Sequence, residues 1–410
     1  MESPFNKNFF SQNRTELRKR CIETSLFVFT ANGLLQRGAE MAFTFAQDAN
    51  FWYLTGIEDP DVLLIMDGDE EYLLMPARDT IRETFDGVLE VDSAQSVSGI
   101  SNILVGKEGE DLLDSLLAAT KSVATIEPAP AYLEHFGVYS NPARAQLQMR
   151  MRKISKNINV IDVSKHLRTM RCVKQEPEIQ AIQKAIDITN KAISDAMKPS
   201  TRKTYTYENE IEGELTCSFR RLGAAGHAFD PIVAGGKRAC TMHYFANDHR
   251  LNRDELIVFD VGAEYNHYAA DIARTFSFSP PSKRQKEVHA AVIDAQQYAF
   301  KLLKPGVILR EYEKEMEKFL GSQLNKLGVI NSMERNDIRK YFPHATSHFL
   351  GLYAHDTGDH DAPLEPGMVL AVEPGIYIPE ESLGVRIEDN VLITENGIDI
   401  LSNSLSRALY

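Results

Sequence analysis

Cysteine is scarce in this 410-residue chain. The four residues Cys21, Cys172, Cys217 and Cys240 are far apart, and no CxxC pair occurs. That spacing argues against a cysteine-based zinc site, and scattered thiols suit a reducing compartment. Long apolar runs are also missing: none approaches the ~20 residues that a membrane-spanning helix needs. The opening stretch MESPFNKNFF has no apolar core of the secretory-signal kind, so a cytoplasmic location is expected. Positive charge is in deficit. A formal net charge of −13 argues against nucleic acid and anionic membranes as partners. The basic run Arg14–Arg20 is the exception, and it reads as the solvated face of a short helix.

What remains is ordinary globular composition, 43% hydrophobic and 25% charged, on a chain long enough for two domains. The first ~165 residues read as α/β. Strand-like runs fall at Leu26–Thr30, Phe51–Thr55, Val62–Met66 and Tyr72–Met75, and helical patterns near Glu110–Ala119 and Arg144–Arg152. The charged stretch Lys165–Glu178 marks a boundary, giving domains 1–168 and 169–410. The second part opens with an amphipathic helix on Ile179, Ile182, Ile186, Ile193 and Met197, with Pro177 at its start and Pro199 after its end. A second helix carries Ile211, Leu215, Phe219 and Leu222. The layout then recurs: Lys304 follows Lys198 by 106 residues, Gly328 follows Gly223 by 105, and His348 follows His243 by 105. The shared offset points to an internal duplication whose halves face one cleft, with His243 and His348 on either side of it.

The strongest local signal runs from Glu255 to Phe278. It reads as a β-hairpin turning at Glu264-Tyr265-Asn266-His267. Asp260 and Asp271 are equally far from that turn, so a regular hairpin sets them directly opposite, with Cβ atoms about 4.5–5.5 Å apart. Two like charges among apolar neighbours need a shared proton or bound cations. A second hairpin, Val369–Ile378 with Gly384–Ile393, sets Glu373 opposite Glu388, and Pro374 implies a bulge or an edge there. With His348 the set is four carboxylates and one imidazole. Four negative charges match two divalent cations, and oxygen donors with a single nitrogen suit manganese, cobalt or zinc. Paired metals can hold a hydroxide, which makes this a hydrolase site.

These stretches resemble the metal-binding segments of the pita-bread metallopeptidases. The matching strings are VFDVGAEYNHYAADIARTF, TSHFLGLYAHD, LEPGMVLAVEPGIYI and GVRIEDNVLITENG, all in family order. AQDANFWYLTGIEDPDVLLI and PARDTIRETFDG are similar to the N-terminal domain of bacterial Xaa-Pro aminopeptidases (aminopeptidase P). The resemblance covers nearly the whole chain. It implies an α/β N-terminal domain followed by an α+β pita-bread catalytic domain with an internal pseudo-twofold repeat. It also implies Asp260, Asp271, His348, Glu373 and Glu388 as ligands of two divalent metals, manganese first, with Asp271 and Glu388 bridging. Glu373 would move the proton of the attacking water. His243 and His355 would contact the scissile carbonyl and the developing oxyanion. His344 would line the proline pocket, and Arg386 and Tyr377 would hold Asp260. The implied substrates are peptides with proline at the second position, and the implied assembly is a homodimer or homotetramer. The match departs at Asn50 and Phe85, where bacterial members usually carry Asp and Trp. Two alternatives stay open. One is an Xaa-Pro dipeptidase, against which the absence of Arg or Lys in Thr357–Pro363 speaks. The other is a non-catalytic binding module of the same fold.

Overall fold

The chain folds into two compact units, Phe5–Met170 and Arg171–Tyr410. The computed structural model describes residues 4–129, 133 and 137–409. The first unit is built on a six-stranded mixed sheet. Its strand order is Asn102–Val105, Glu70–Met75, Leu63–Asp67, Leu26–Thr30, Ser122–Thr125, Asn159–Asp162. The three central strands pair antiparallel and the outer ones join in parallel. The helices Lys107–Ala119 and Ala143–Ile154 lay Leu113, Leu117, Leu147 and Met151 on a core that includes Leu26, Val28 and Ile65.

Two expectations fail in this unit. The run from Phe51 to Thr55 lies in a helix, Ala49–Thr55, rather than a strand. The Asp48 carboxylate accepts the N–H groups of Asn50 and Phe51, both at 3.0 Å, and Gly56 ends the helix at φ 70°. A short all-apolar run fits a buried helix as well as a buried strand, and here the cap decides. Arg14 is not solvated either. It is fully buried on the helix Lys7–Arg20, where it donates to Leu54 O at 2.8 Å, Ser98 O at 3.1 Å and Glu71 at 2.9 Å.

In the second unit two helix pairs alternate with strands. Glu176–Ala196 packs on Glu208–Arg221, and Lys283–Leu302 packs on Leu309–Lys326. A capping box between Gln175 and Glu178 starts the first helix, with Pro177 in its first turn. The helix ends repeat at the expected spacing: Leu302 is 106 residues past Ala196, and Lys326 is 105 past Arg221. The repeat lapses at the histidines. His348 lies on the strand Ser347–Phe349, whereas His243 lies in irregular chain just after the 3₁₀ turn Gly236–Cys240. The second half carries a large core, with Val288, Val292, Met316 and Leu320 from helices against Leu370, Val372, Ile376, Val385 and Val391 from strands. Among the described residues no helix is long and apolar enough to cross a membrane.

The two hairpins hold their registers differently. In the first, Asp260 pairs with Ala273, not with Asp271. The turn is the two-residue loop Asn266-His267, both at positive φ (46° and 68°), as tight hairpin loops require. That moves the turn centre by one residue and the pairing by two. Asp271 therefore stays on the same face as Asp260 but sits diagonally from it. In the second, Val372 pairs with Asp389 and Gly375 with Arg386, so the register expected for Glu373 and Glu388 holds on either side of them. Pro374 introduces no shift. The pairing runs on through Pro374, whose carbonyl accepts the Ile387 N–H at 3.3 Å, so the N–H groups of Glu373 and Glu388 face outward. The Glu373 N–H donates to Thr346 O at 2.7 Å and the Glu388 N–H to Ala273 O at 2.9 Å.

Candidate metal centre

That last bond carries the second hairpin onto the first. Ala273 lies opposite Asp260, so Glu388 arrives beside the first aspartate pair. Asn390 extends the seam, its Oδ1 accepting the Asp271 N–H at 3.1 Å and its amide donating to Asp271 O at 2.6 Å. Thr275 adds two more bonds, to Arg386 O at 3.0 Å and from Arg386 N at 3.1 Å. Gly262 lets the first hairpin kink next to Asp271, since a Cβ there would stand 1.7 Å from Ala270 O.

The result is a cavity of about 330 Å³. Asp260, Asp271, His348, Glu373 and Glu388 all line it, together with His243, His344, His355 and Arg386. Their donor atoms fall into three overlapping groups: Asp260, Asp271 and Glu388 form one, His348, Glu373 and Glu388 another, and Asp271, His348 and His355 a third. His348 Nε2 lies 3.6 Å from Asp271 Oδ2, 3.6 Å from Glu373 Oε1 and 3.8 Å from Glu388 Oε1. Those separations are too long for hydrogen bonds. They suit atoms that each stand roughly 2.0–2.2 Å from a common ion. Asp260 Oδ1 and both Glu388 carboxylate oxygens are buried without a hydrogen-bond partner. An orphaned carboxylate is costly, and divalent cations relieve that cost. The donor set therefore fits two metal ions.

The electrostatics agree. Burial, then the nearby Asp260 carboxylate, pushes Asp271 well above the usual carboxylate range. Glu388 is raised by burial and by Asp271, and Glu373 by burial and by Glu388. Burial, with His355 beside it, lowers His348 to about 3, so its imidazole is neutral and free to ligate. Burial also lowers His355, whose ring stacks on that of His348 with centroids 4.0 Å apart.

Around this centre runs a fixed chain of hydrogen bonds. Arg386 Nη1 donates to Asp260 Oδ2, and its Nε donates to the Tyr377 hydroxyl at 2.7 Å. The Tyr377 hydroxyl lies 2.7 Å from His344 Nε2, and His344 Nδ1 lies 2.7 Å from Ala345 O. Tyr377 thus reaches Asp260 only through Arg386, and it is not among the residues that line the cavity. His243 stacks on Phe245 at 5.5 Å.

Two family models match the chain. One, metallopeptidase family M24, spans residues 180–395. The other, the aminopeptidase P N-terminal domain, spans residues 10–125. The Xaa-Pro aminopeptidase of Escherichia coli K12 is 31% identical over 98% of this chain and 96% of its own length. Human Xaa-Pro aminopeptidase 3 is 32% identical over 92% of this chain and 77% of its own. The chain belongs to the aminopeptidase P family. A solved structure of the E. coli aminopeptidase P, its low-pH form, superposes with a TM-score of 0.84 at 29% identity, covering 98% of this chain and 96% of that one. An α/β domain of the aminopeptidase P N-terminal type thus precedes a pita-bread catalytic domain, and the enzyme class is a metal-dependent peptidase.

Sequence reasoning passed over several residues at this aminopeptidase P-type centre. Asn390, two residues past Glu388, and Thr275, four past Asp271, sit within the motif strings and were accessible by position alone. Glu313 gave no signal, because it comes from a distant helix to accept the N–H groups of Thr346 and Ser347 at 2.8 and 2.9 Å. The apolar cavity wall of Phe229, Ile232, Met242 and Phe245 lies on loops and a short strand without a periodic pattern.

Proposed function

We propose that this chain is a dinuclear Xaa-Pro aminopeptidase, releasing the first residue from peptides that carry proline second. The observation that carries the reading is the pair of overlapping donor groups sharing Glu388, with its two carboxylate oxygens unpartnered. Near-full-length similarity to Xaa-Pro aminopeptidases supports the substrate class. Asp260, Asp271, His348, Glu373 and Glu388 would hold two divalent ions, with Asp271 and Glu388 shared between them. Manganese is favoured over cobalt or zinc by the oxygen-rich set. Such ions supply Lewis acidity and make water nucleophilic near neutral pH.

The chain's own groups do the rest. Glu373 accepts the proton of the attacking water and returns it to the departing prolyl nitrogen. His243 and His355 donate hydrogen bonds to the carbonyl oxygen as it gains charge. His344 lines the pocket for the proline ring, pinned by Tyr377 and Ala345 on its two ring nitrogens. Arg386 neutralises and orients Asp260. Arg386 is also the one Arg or Lys among the described residues lining the cavity. With its guanidinium committed to Asp260 and Tyr377, it leaves no cation for a free prolyl carboxylate, which favours longer peptides over dipeptides.

The test compares Xaa-Pro, Xaa-Pro-Xaa and Xaa-Ala-Xaa hydrolysis with added manganese. Preferred cleavage of Xaa-Pro-Xaa is expected. Cleavage of the dipeptide alone would make the protein a prolidase, and metal-loaded protein with no hydrolysis would make it a binding module. Four free thiols suit a reducing compartment such as the cytoplasm, the location proposed for the chain. Assembly as a homodimer or homotetramer is supported by exposed apolar side chains in the N-terminal unit, with Met41 65% and Phe43 56% exposed. A monomer in sedimentation at micromolar concentration would refute it.

A further inference from the structure

Beside the metal centre lies a buried ion cluster for which the reaction above has no use. Asp356 follows His355, and its side chain is 1% exposed. It sits between Arg171 and Lys174, whose side chains are 4% and 0% exposed. Arg171 Nη2 donates to Asp356 Oδ1. Lys174 Nζ lies 3.7 Å from Oδ2, and the Leu352 N–H donates to the same oxygen at 3.2 Å. The Asp356 N–H donates back to Phe349 O at 2.9 Å. The chain from His348 to His355 is thus closed into a loop around one carboxylate. Gly351 fits that closure, because a Cβ there would stand 2.1 Å from Asp356 Oδ2. The same loop is tied to the first hairpin, where the Ala269 N–H donates to Gly351 O at 2.9 Å, two residues before Asp271. The cations are anchored too, since the Lys174 N–H donates to Gly367 O at 2.9 Å.

Buried ion clusters contribute little net stability, but they demand well-defined geometry. The geometry at stake here is that of His355. Among the described residues no side-chain hydrogen bond fixes its imidazole, and only the stack on His348, 4.0 Å between centroids at 26°, orients it. Where that ring stands is therefore set by the loop backbone, and the loop backbone is set by Asp356. We propose that Arg171, Lys174 and Asp356 are positioning residues that hold the His355 ring over the metal centre. What His355 then does to substrate rests on the aminopeptidase reading. Where it stands does not.

The test is a double-mutant cycle on the full chain. Arg171→Lys keeps the charge and loses the planar fork. It is expected to lower kcat roughly 10- to 100-fold, with KM and metal content unchanged, and to lower nothing further in a His355→Ala background. Equal losses in both backgrounds, or loss of metal, overturn the proposal. A second readout needs no activity. In protein carrying 13C-labelled histidine, the His355 ring resonance is identified by its disappearance in His355→Ala. It should move in Arg171→Lys while that of His289, on the helix Lys283–Leu302, stays in place. An unmoved His355 resonance overturns the proposal whether or not peptides are cleaved. If the unmodified protein cleaves no Xaa-Pro peptide, the functional reading fails and the resonance alone decides. Should Arg171→Lys fail to fold, Lys174→Met, which leaves a neutral Arg171–Asp356 pair, takes its place with the same expectations.

Discussion

His348 and His355 stack ring to ring, yet their surroundings assign them different work. His348 Nε2 stands 3.6–3.8 Å from three carboxylates, as a ligand does, while His355 stacks on His348 and shares a donor group with Asp271 and His348 alone. His348→Ala should therefore lose metal, and His355→Ala should keep it. The latter should lose about 10²–10³ in kcat, the usual effect of removing one oxyanion donor. Elemental analysis and turnover on both variants check this, and metal loss in His355→Ala would make it a ligand instead. A second residue-scale prediction concerns Glu178 and Glu313. Burial raises both to about 7, against roughly 4.3 in an unfolded chain. Raised folded-state values stabilise fully below the unfolded value, and that stability is lost as pH climbs through about 7. Each group then contributes a loss of about 3 kcal/mol by pH 8. The melting temperature at constant metal should fall between pH 5 and pH 8, and Glu178→Gln should flatten that fall. An unchanged slope would place the titration elsewhere.

At the scale of elements, the two hairpins show why carboxylate pairing was partly legible. Apolar alternation and acid spacing announced both hairpins and the face that each acid occupies. The register of the first depended on which two residues adopt positive φ, and an Asn-His turn is a weak signal beside Asn-Gly. The error of two residues conserved the face, since side chains alternate with period two. Pro374 implied a bulge or an edge beside Glu373 and Glu388, but the pairing passes through it in register. The outward-facing N–H groups of Glu373 and Glu388 found partners on Thr346 and Ala273, which are distant in sequence. Gly262 is the element-scale test. Gly262→Ala forces a Cβ into Ala270 O, so the hairpin must open beside Asp271. Metal affinity should drop at least tenfold along with the melting temperature, read by calorimetry, whereas wild-type affinity would show that the kink is dispensable.

At the scale of the whole molecule, metal and fold should be linked. Four carboxylates crowd one cavity, and three of them are pushed up by burial and mutual repulsion. Ions that bind only the folded chain stabilise it by mass action, about 2.7 kcal/mol at a hundredfold excess over Kd. Manganese should thus raise the melting temperature of the protein and leave that of Asp271→Ala nearly unchanged. An equal shift in both would put the binding elsewhere.

The sequence by itself determined what can be read along a chain. It carried the helix pairs and their repeat, the two acidic hairpins, the identity of five metal-binding candidates, and the absence of any apolar run long enough for a membrane. Periodicity, residue chemistry and motif order are local, so they survive without coordinates. Only the tertiary structure decided which distant groups meet. It buried Arg14 against Glu71 and turned the run at Phe51 into a capped helix. It set Asp271 diagonally from Asp260, routed Tyr377 to Asp260 through Arg386, and enclosed Asp356 between two cations. The helix at Phe51 rests on its near neighbour Asp48 and the Asp271 register on the Asn266-His267 turn, but Arg14, Arg386 and Asp356 each depend on a partner tens to hundreds of residues away. No local pattern specifies such a partner, because only the packed fold fixes which polar groups lose water together and must satisfy one another.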